Sequence, residues 1–238
     1  MCSVSWQRDE AGLFILFNRD ERKSREEAFP PSVIEQNGRK ILRPVDSEKG
    51  GTWFAANQFG LAVGLLNNYR ELSELPEKPR SRGQLVMEIA GAEDLEAAEA
   101  ALHFALETGD YPPFTLLVWH GDEERMWDWA GDKLSFTPHP KPLVTSSSWE
   151  SERVETWRKT LYREKVENGN WDAVQFHRYE VPGDEASSVC MSRESTQTVS
   201  LTTCRITGSE AVMTYSARDR EGRFAGEITT VLPVNLLL

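Results

Sequence analysis

Cysteine stands at position 2, directly behind the initiator methionine. Removing Met1 leaves Cys2 with a thiol and a free α-amine, and the amine's ordinary pKa, near 8, is about that of a free thiol. One residue then supplies nucleophile and base together, as in N-terminal threonine and cysteine nucleophiles. The polar run Asn18-Arg19-Asp20-Glu21 follows one apparent β-hairpin, so its acidic groups can return to that amine. A structural account competes: Cys2 as a small residue at a start site, and Asp20 and Glu21 as a solvated cluster with Arg19, Arg22 and Lys23.

Placing these groups together requires strands. Ser3–Arg8 alternates with Val4 and Trp6 on one face, Asp9-Glu10-Ala11-Gly12 supplies a turn, and Leu13–Phe17 reads as a second, more buried strand. The charged stretch Arg19–Glu27, ending at Pro30-Pro31, reads as loop. Beyond the Gly50-Gly51 break, Thr52–Asn57 and Leu61–Asn67 read as two strands around Gln58-Phe59-Gly60. Ser81 and Gln84 have capping-box spacing ahead of the apolar run Leu85–Ile89. Leu95, Ala98, Leu102 and Leu106 follow at helical spacing, with Gly109 as a stop.

Four strands come next, at Phe114–Trp119, Arg125–Trp129, Lys133–Thr137 and Leu143–Ser146. A helix over Glu150–Val166 has Val154, Trp157 and Leu161 on one face, and a shorter one is expected at Trp171–Tyr179. Strands return at Gln197–Ile206, Ala211–Ala217 and Arg223–Val231. This order predicts an α+β fold of antiparallel sheets with helices segregated to the outer faces, as one domain over residues 1–238.

Composition limits the partners. With 38 acidic against 27 basic residues, the net charge is −11, which repels nucleic acid and anionic membrane alike. A local basic pocket for an anionic small molecule remains compatible with that balance. The three cysteines, Cys2, Cys190 and Cys204, form no Cys-x-x-Cys and no paired Cys/His spacing. No disulfide framework or metal site is expected, and a reducing, cytoplasmic setting is. Cys190 and Cys204 read as buried strand cysteines, and His103, His120, His139 and His177 form no motif. No apolar run approaches the ~18 residues of a membrane span. Leu13–Phe17 is strand-length and preceded by acidic residues, unlike a signal peptide.

Four stretches share one pattern: Met1-Cys2 with Asn18-Arg19-Asp20-Glu21; Gly50-Gly51-Thr52-Trp53; Asn57-x-x-Gly60-Leu61 running to Asn67; and Ser81-Arg82-Gly83. Together they resemble the NRDE family, also called the transport-and-Golgi-organisation 2 family, over about the first 90 residues. The resemblance implies an N-terminal-nucleophile (Ntn) hydrolase-like fold, a four-layer α-β-β-α sandwich of two antiparallel sheets. Asn57–Asn67 also resembles a hairpin of the wider choloylglycine-hydrolase and penicillin-acylase group, whose nucleophile is an N-terminal cysteine. By that likeness Cys2 would attack a carbonyl and Asp20 would hold its ammonium. Asn67 or Asn68 would donate to the oxyanion, one such donor being worth roughly 2.7–4 kcal/mol of barrier. Asn18, Arg19, Glu21, Trp53, Asn57 and Asn68 would line the ligand. If Asp20 and Cys2 are paired, Asp20→Asn is expected to raise the thiol's reactivity pKa.

Three departures weigh against catalysis. The hydrolase group's Arg three residues before the Asp is here Phe17, a second Asn aligns with Ser146, and a later strand Arg aligns with Ser200. Two functions therefore stand side by side. One is binding and trafficking of a small hydrophobic or anionic ligand, with no cofactor required. Haem is the ligand the resemblance implies, held exchangeably. The other is amide hydrolysis of a small N-acyl substrate through Cys2.

Overall fold

Val4 and Trp6 alternate with Ser3 and Ser5, and that alternation sorts the first hairpin into two faces. Strands β1 (Cys2–Asp9) and β2 (Gly12–Arg22) pair antiparallel, with Cys2 opposite Arg19, Val4 opposite Phe17 and Trp6 opposite Ile15. Val4, Trp6, Ile15 and Phe17 enter one apolar cluster, while Ser3, Ser5 and Asn18 hydrogen-bond on the opposite face. The computed structural model describes residues 2–69 and 77–235.

The chain continues through β3 (Phe29–Gln36), β4 (Arg39–Val45), β5 (Phe54–Asn57), β6 (Ala62–Asn67), α1 (Arg82–Ile89) and α2 (Leu95–Thr108). Next come β7 (Phe114–His120), β8 (Glu123–Trp129), β9 (Leu134–Pro138), β10 (Leu143–Ser146) and α3 (Ser151–Tyr162). A π-helical turn, Arg163–Glu167, leads to α4 (Ala173–His177), β11 (Thr196–Ile206), β12 (Glu210–Ala217) and β13 (Ile228–Pro233).

One sheet has the order β10-β1-β2-β11-β12-β13 and the other β3-β4-β5-β6-β7-β8-β9, every pairing antiparallel. Their inner faces share one core, in which Trp6 meets Trp119 edge-on at 5.4 Å and Phe17 lies 5.9 Å from Phe54. Each such fully buried side chain contributes about 1.5–3 kcal/mol by leaving water. Leu85, Val86 and Ile89 of α1 and Leu95, Ala98 and Leu102 of α2 cover the outer face of the seven-stranded sheet. Tyr162 and Phe176, from α3 and α4, cover the outer face of the other, where Ala173 packs on Leu16 and Leu201. The expected α-β-β-α layering is present.

Local differences have local causes. Arg19–Arg22, expected as loop, extends β2, because β11 pairs with it through Thr196 opposite Arg22. The β3–β4 hairpin was not anticipated, although Asn37-Gly38, both at positive φ (53° and 74°), is the turn pair that hairpins favour. Pro30-Pro31 is tolerated because β3 is an edge strand whose register shifts between Phe29 and Ser32. Ser81 makes no side-chain cap. The capping box belongs instead to Asp172 and Gln175 at α4, where no interior apolar run advertised it. The expected 150–166 helix closes its α-helical part at Tyr162, and the last strand begins at Ile228. Cys190 and Cys204 are both buried, but only Cys204 is on a strand.

Candidate active site

Cys2 opens β1 and lies on the floor of a cleft of about 450 Å³ between the ends of the two sheets. β2 and β10 flank it, so its position is fixed from both sides. Its backbone N–H donates to Ser146 Oγ at 3.3 Å, and the N–H of Asp20 donates to the thiol. Burial pushes the thiol up from its ordinary value, and the nearby Asp20 carboxylate pushes the same way. A desolvated thiol of this kind is protonated at neutral pH and needs a base to act. Met1, whose removal would supply that base, lies outside the described residues.

Strand periodicity divides Asn18-Arg19-Asp20-Glu21 between two faces. Arg19 turns to the cleft, stacks over Trp53 at 4.3 Å and is ion-paired with Asp46. Glu21 also borders the cleft, 3.7 Å from both Arg19 and Arg25. Burial pushes the Asp46 carboxyl up, but hydrogen bonds from Arg25 and the Lys49 N–H, with the Arg19 charge, hold it below the usual range. Arg19, Trp53 and Asp46 thus tie β2 to the segment between β4 and β5.

Asn18 turns the other way and does not reach the cleft. Its amide donates to the carbonyls of His177 (2.8 Å) and Val189 (3.1 Å). Asp20 turns with Asn18 but still borders the cleft at the strand's end. Its Oδ1 accepts from Thr198 Oγ1 at 2.7 Å. Its Oδ2 is buried with no hydrogen-bond partner among the described residues. Opposite Asp20, β11 shifts register between Thr198 and Ser200, an irregularity of the kind found beside functional sites. Burial pushes the Asp20 carboxyl up, against the attraction of Arg158.

Beneath β1 and β2 lies a buried polar layer that sequence reasoning missed. Arg158, fully buried on α3, donates to Ser3 Oγ, Thr145 Oγ1 and the carbonyls of Ser187 and Ser188 at 2.5–3.3 Å. His177 Nδ1 faces Asn18 Oδ1 at 3.1 Å, and its Nε2 faces Ser5 Oγ at 2.8 Å. Because both carbonyl bonds commit the Asn18 amide nitrogen, Oδ1 accepts, so Nδ1 carries the imidazole proton and Nε2 takes one from Ser5. Burial, reinforced by the Arg158 charge, pushes His177 down to about 3. Arg158 sits at an ordinary helix position and His177 in a five-residue helix, so neither carries a motif.

Asn67, at the end of β6, lines the Cys2 cleft, and its Nδ2 donates to Tyr69 Oη at 2.9 Å. Asn57 is elsewhere. It is fully buried, donates to the carbonyls of Ala90 and Ala92 and accepts from the N–H groups of Phe59 and Leu61. Its role is to clamp the β5–β6 turn to the end of α1. Asn68 borders a second cleft of about 460 Å³, walled by Met126, Pro142, Leu143, Val144 and Tyr162, with Arg163 and Glu167 of the π-helical turn on its rim. Ser146 borders it too. The linings of the two clefts share no residue but include neighbours: Cys2 of the first pairs with Ser146 of the second across β1 and β10, and Asn67 precedes Asn68. Phe17 is core, and Ser200 lies opposite Arg19 in the β2–β11 ladder.

Two glycine motifs close the first cleft. A Cβ on Gly51 would stand 2.8 Å from the Gly83 carbonyl carbon, and one on Gly83 would stand 3.1 Å from the Thr52 nitrogen. Thr52 N–H donates to Gly83 O at 3.2 Å. Gly50–Trp53 and Ser81–Gly83 thus interlock, which sets Trp53 and Arg82 on the same cleft wall.

Solved structures share this fold at low identity. A mutant of the conjugated bile acid hydrolase from Clostridium perfringens matches with a TM-score of 0.58 at 11% identity, over 99% of this chain and 97% of that one. The N-acylethanolamine-hydrolyzing acid amidase ortholog from Caenorhabditis elegans matches with a TM-score of 0.56 at 12% identity, over 85% and 92%. The fold is Ntn-hydrolase-like. No curated protein matches the sequence itself. The family model described as Transport and Golgi organisation 2 matches residues 1–175, and the chain belongs to that family.

Proposed function

We propose that the protein is an N-terminal-cysteine amidohydrolase for a small N-acyl compound, working where the linings of the two clefts adjoin. One observation carries this reading. The Cys2 thiol sits on a cleft floor beside Asp20, whose Oδ2 is buried and without a hydrogen-bond partner among the described residues. The freed Cys2 α-amine becomes an ammonium on taking the thiol proton, and that ammonium is the donor such a carboxylate oxygen lacks. The sulfur attacks the acyl carbonyl carbon as its proton passes to the α-amine. The C–N bond then breaks and the leaving amine takes that proton, leaving a thioester. Water cleaves the thioester, restoring the thiol and releasing the acid. Asn67, which lines the Cys2 cleft, would donate to the oxyanion, and the apolar walls of the second cleft suit an acyl chain. The bile acid hydrolase and the N-acylethanolamine amidase with this fold support the reaction class.

Intact mass and turnover test it together. Protein lacking Met1 is expected to hydrolyse N-acyl amides, and Cys2→Ala to lose that activity entirely. Retained Met1 with undiminished hydrolysis would sink the mechanism.

The competing proposal is haem handling. Among the described residues lining the Cys2 cleft, Cys2 is the one of a haem-ligand type (His, Cys, Met or Tyr). On that reading haem titration shifts the Soret band near one equivalent, and Cys2→Ala removes the shift. A cytoplasmic location goes with either proposal, supported by three free, buried cysteines. Among the described residues no helix is long and apolar enough to cross a membrane.

A further inference from the structure

We infer that Arg82 reads a carboxylate on the ligand of the Cys2 cleft, so that the ligand is an acyl compound with a monoanionic polar end. This rests on the cleft being the ligand site, as proposed above. The cleft wall carries Arg19, Arg25, Lys49, Arg80 and Arg82. Arg19 is paired with Asp46, Arg25 with Asp46 and Glu21, and Arg80 with Glu88 at 2.8 Å. Lys49 is exposed. Arg82 is half-buried, pairs with no carboxylate among the described residues, and makes one hydrogen bond, Nη1 to the neutral carbonyl of Pro113 at 2.8 Å. A guanidinium has five donors in a planar fork that matches a carboxylate.

The backbone that carries Arg82 is anchored, because the next residue, Gly83, packs against Gly51 and accepts from the Thr52 N–H. Arg82 lines the same cleft as Cys2, so one molecule can reach both the guanidinium and the thiol. The surrounding charge selects the anion. Glu21, Asp20 and Asp46 border the same cleft, and one uncommitted half-buried guanidinium offsets a single negative charge better than the double charge of a phosphate.

The test uses the full chain carrying Cys2→Ala, so that binding is read without turnover. Isothermal titration would compare N-dodecanoylglycine with N-dodecanoylethanolamine, which share the chain and amide but differ in the carboxylate. The expected result is about ten-fold tighter binding of the carboxylate probe. Arg82→Gln should bring the two probes within about two-fold, Arg82→Lys should keep part of the preference, and Arg80→Gln should keep all of it. Absence of a preference, its survival in Arg82→Gln, or failure of both probes to bind would each overturn the inference. Discrimination that persists in Cys2→Ala while Cys2 protein hydrolyses neither probe would overturn the hydrolase reading and leave Arg82 in place.

Discussion

At Cys2, burial and the Asp20 charge act in the same direction on the thiol. This reverses the sign expected from a simple Cys2–Asp20 pairing. In protein retaining Met1, the pH midpoint of Cys2 alkylation by iodoacetamide should lie above the ordinary 9.0, and Asp20→Asn should move it down. An upward move would mean that Asp20 acts chiefly through a neighbouring cation. His177 gives a second test. Its folded-state pKa, about 3, lies below the ordinary 6.5, so the unfolded chain takes the proton first as pH falls. The stabilisation is complete above about pH 6.5 and is lost progressively towards pH 3. Between pH 6.5 and 5 the loss should be roughly 1.5 kcal/mol by urea unfolding, and His177→Gln should flatten that slope. The missing signal for such residues is physical. A buried arginine or histidine is defined by what surrounds it, and Ser3, Thr145, Ser187 and Ser188 reach Arg158 from distant parts of the chain.

At the scale of elements, the interlock of α1 with the β4–β5 segment is the most consequential contact. Helix propensity favours alanine over glycine by about 1 kcal/mol, so Gly83→Ala would stabilise an isolated helix. Here the added Cβ meets Thr52 N at 3.1 Å and Gly51 Cα at 3.2 Å. A net loss of about 1–3 kcal/mol in thermal unfolding is expected, with Gly51→Ala worse because its contact is 2.8 Å from backbone. A stabilised Gly83→Ala would show that the interlock yields. The sequence marked both glycine stretches as belonging to one pattern, but nothing local said that they touch. Similarly, the hydrophobic pattern ended β2 at Phe17. Its continuation to Arg22 depends on partners in β11, beside the register shift that places Thr198 against Asp20.

For the whole molecule, the two sheets share a single core, and the clefts form where the strands run out. Phe54, fully buried against Phe17, should cost about 3–5 kcal/mol on truncation to alanine. The loss should appear in one cooperative denaturant transition seen equally by tryptophan fluorescence and far-UV circular dichroism. Separate transitions would show that the layers unfold independently. The sequence by itself determined the α+β order, the alternation that buries Val4 and Trp6, and the family-like set that brings Cys2 and Asp20 together. Those properties are local or periodic, and one hairpin is enough to join residues 2 and 20. Tertiary structure alone decided that Asn18 and Asn57 are structural clamps and that Asn68 belongs to a second cleft. It also decided that Arg158 lies under the site and that Arg82 lines the same cleft as Cys2. Each of these depends on register and close approach between segments far apart in sequence. Around Cys2, that packing leaves, among the described residues, one half-buried guanidinium without a carboxylate partner and one buried carboxylate oxygen without a hydrogen bond.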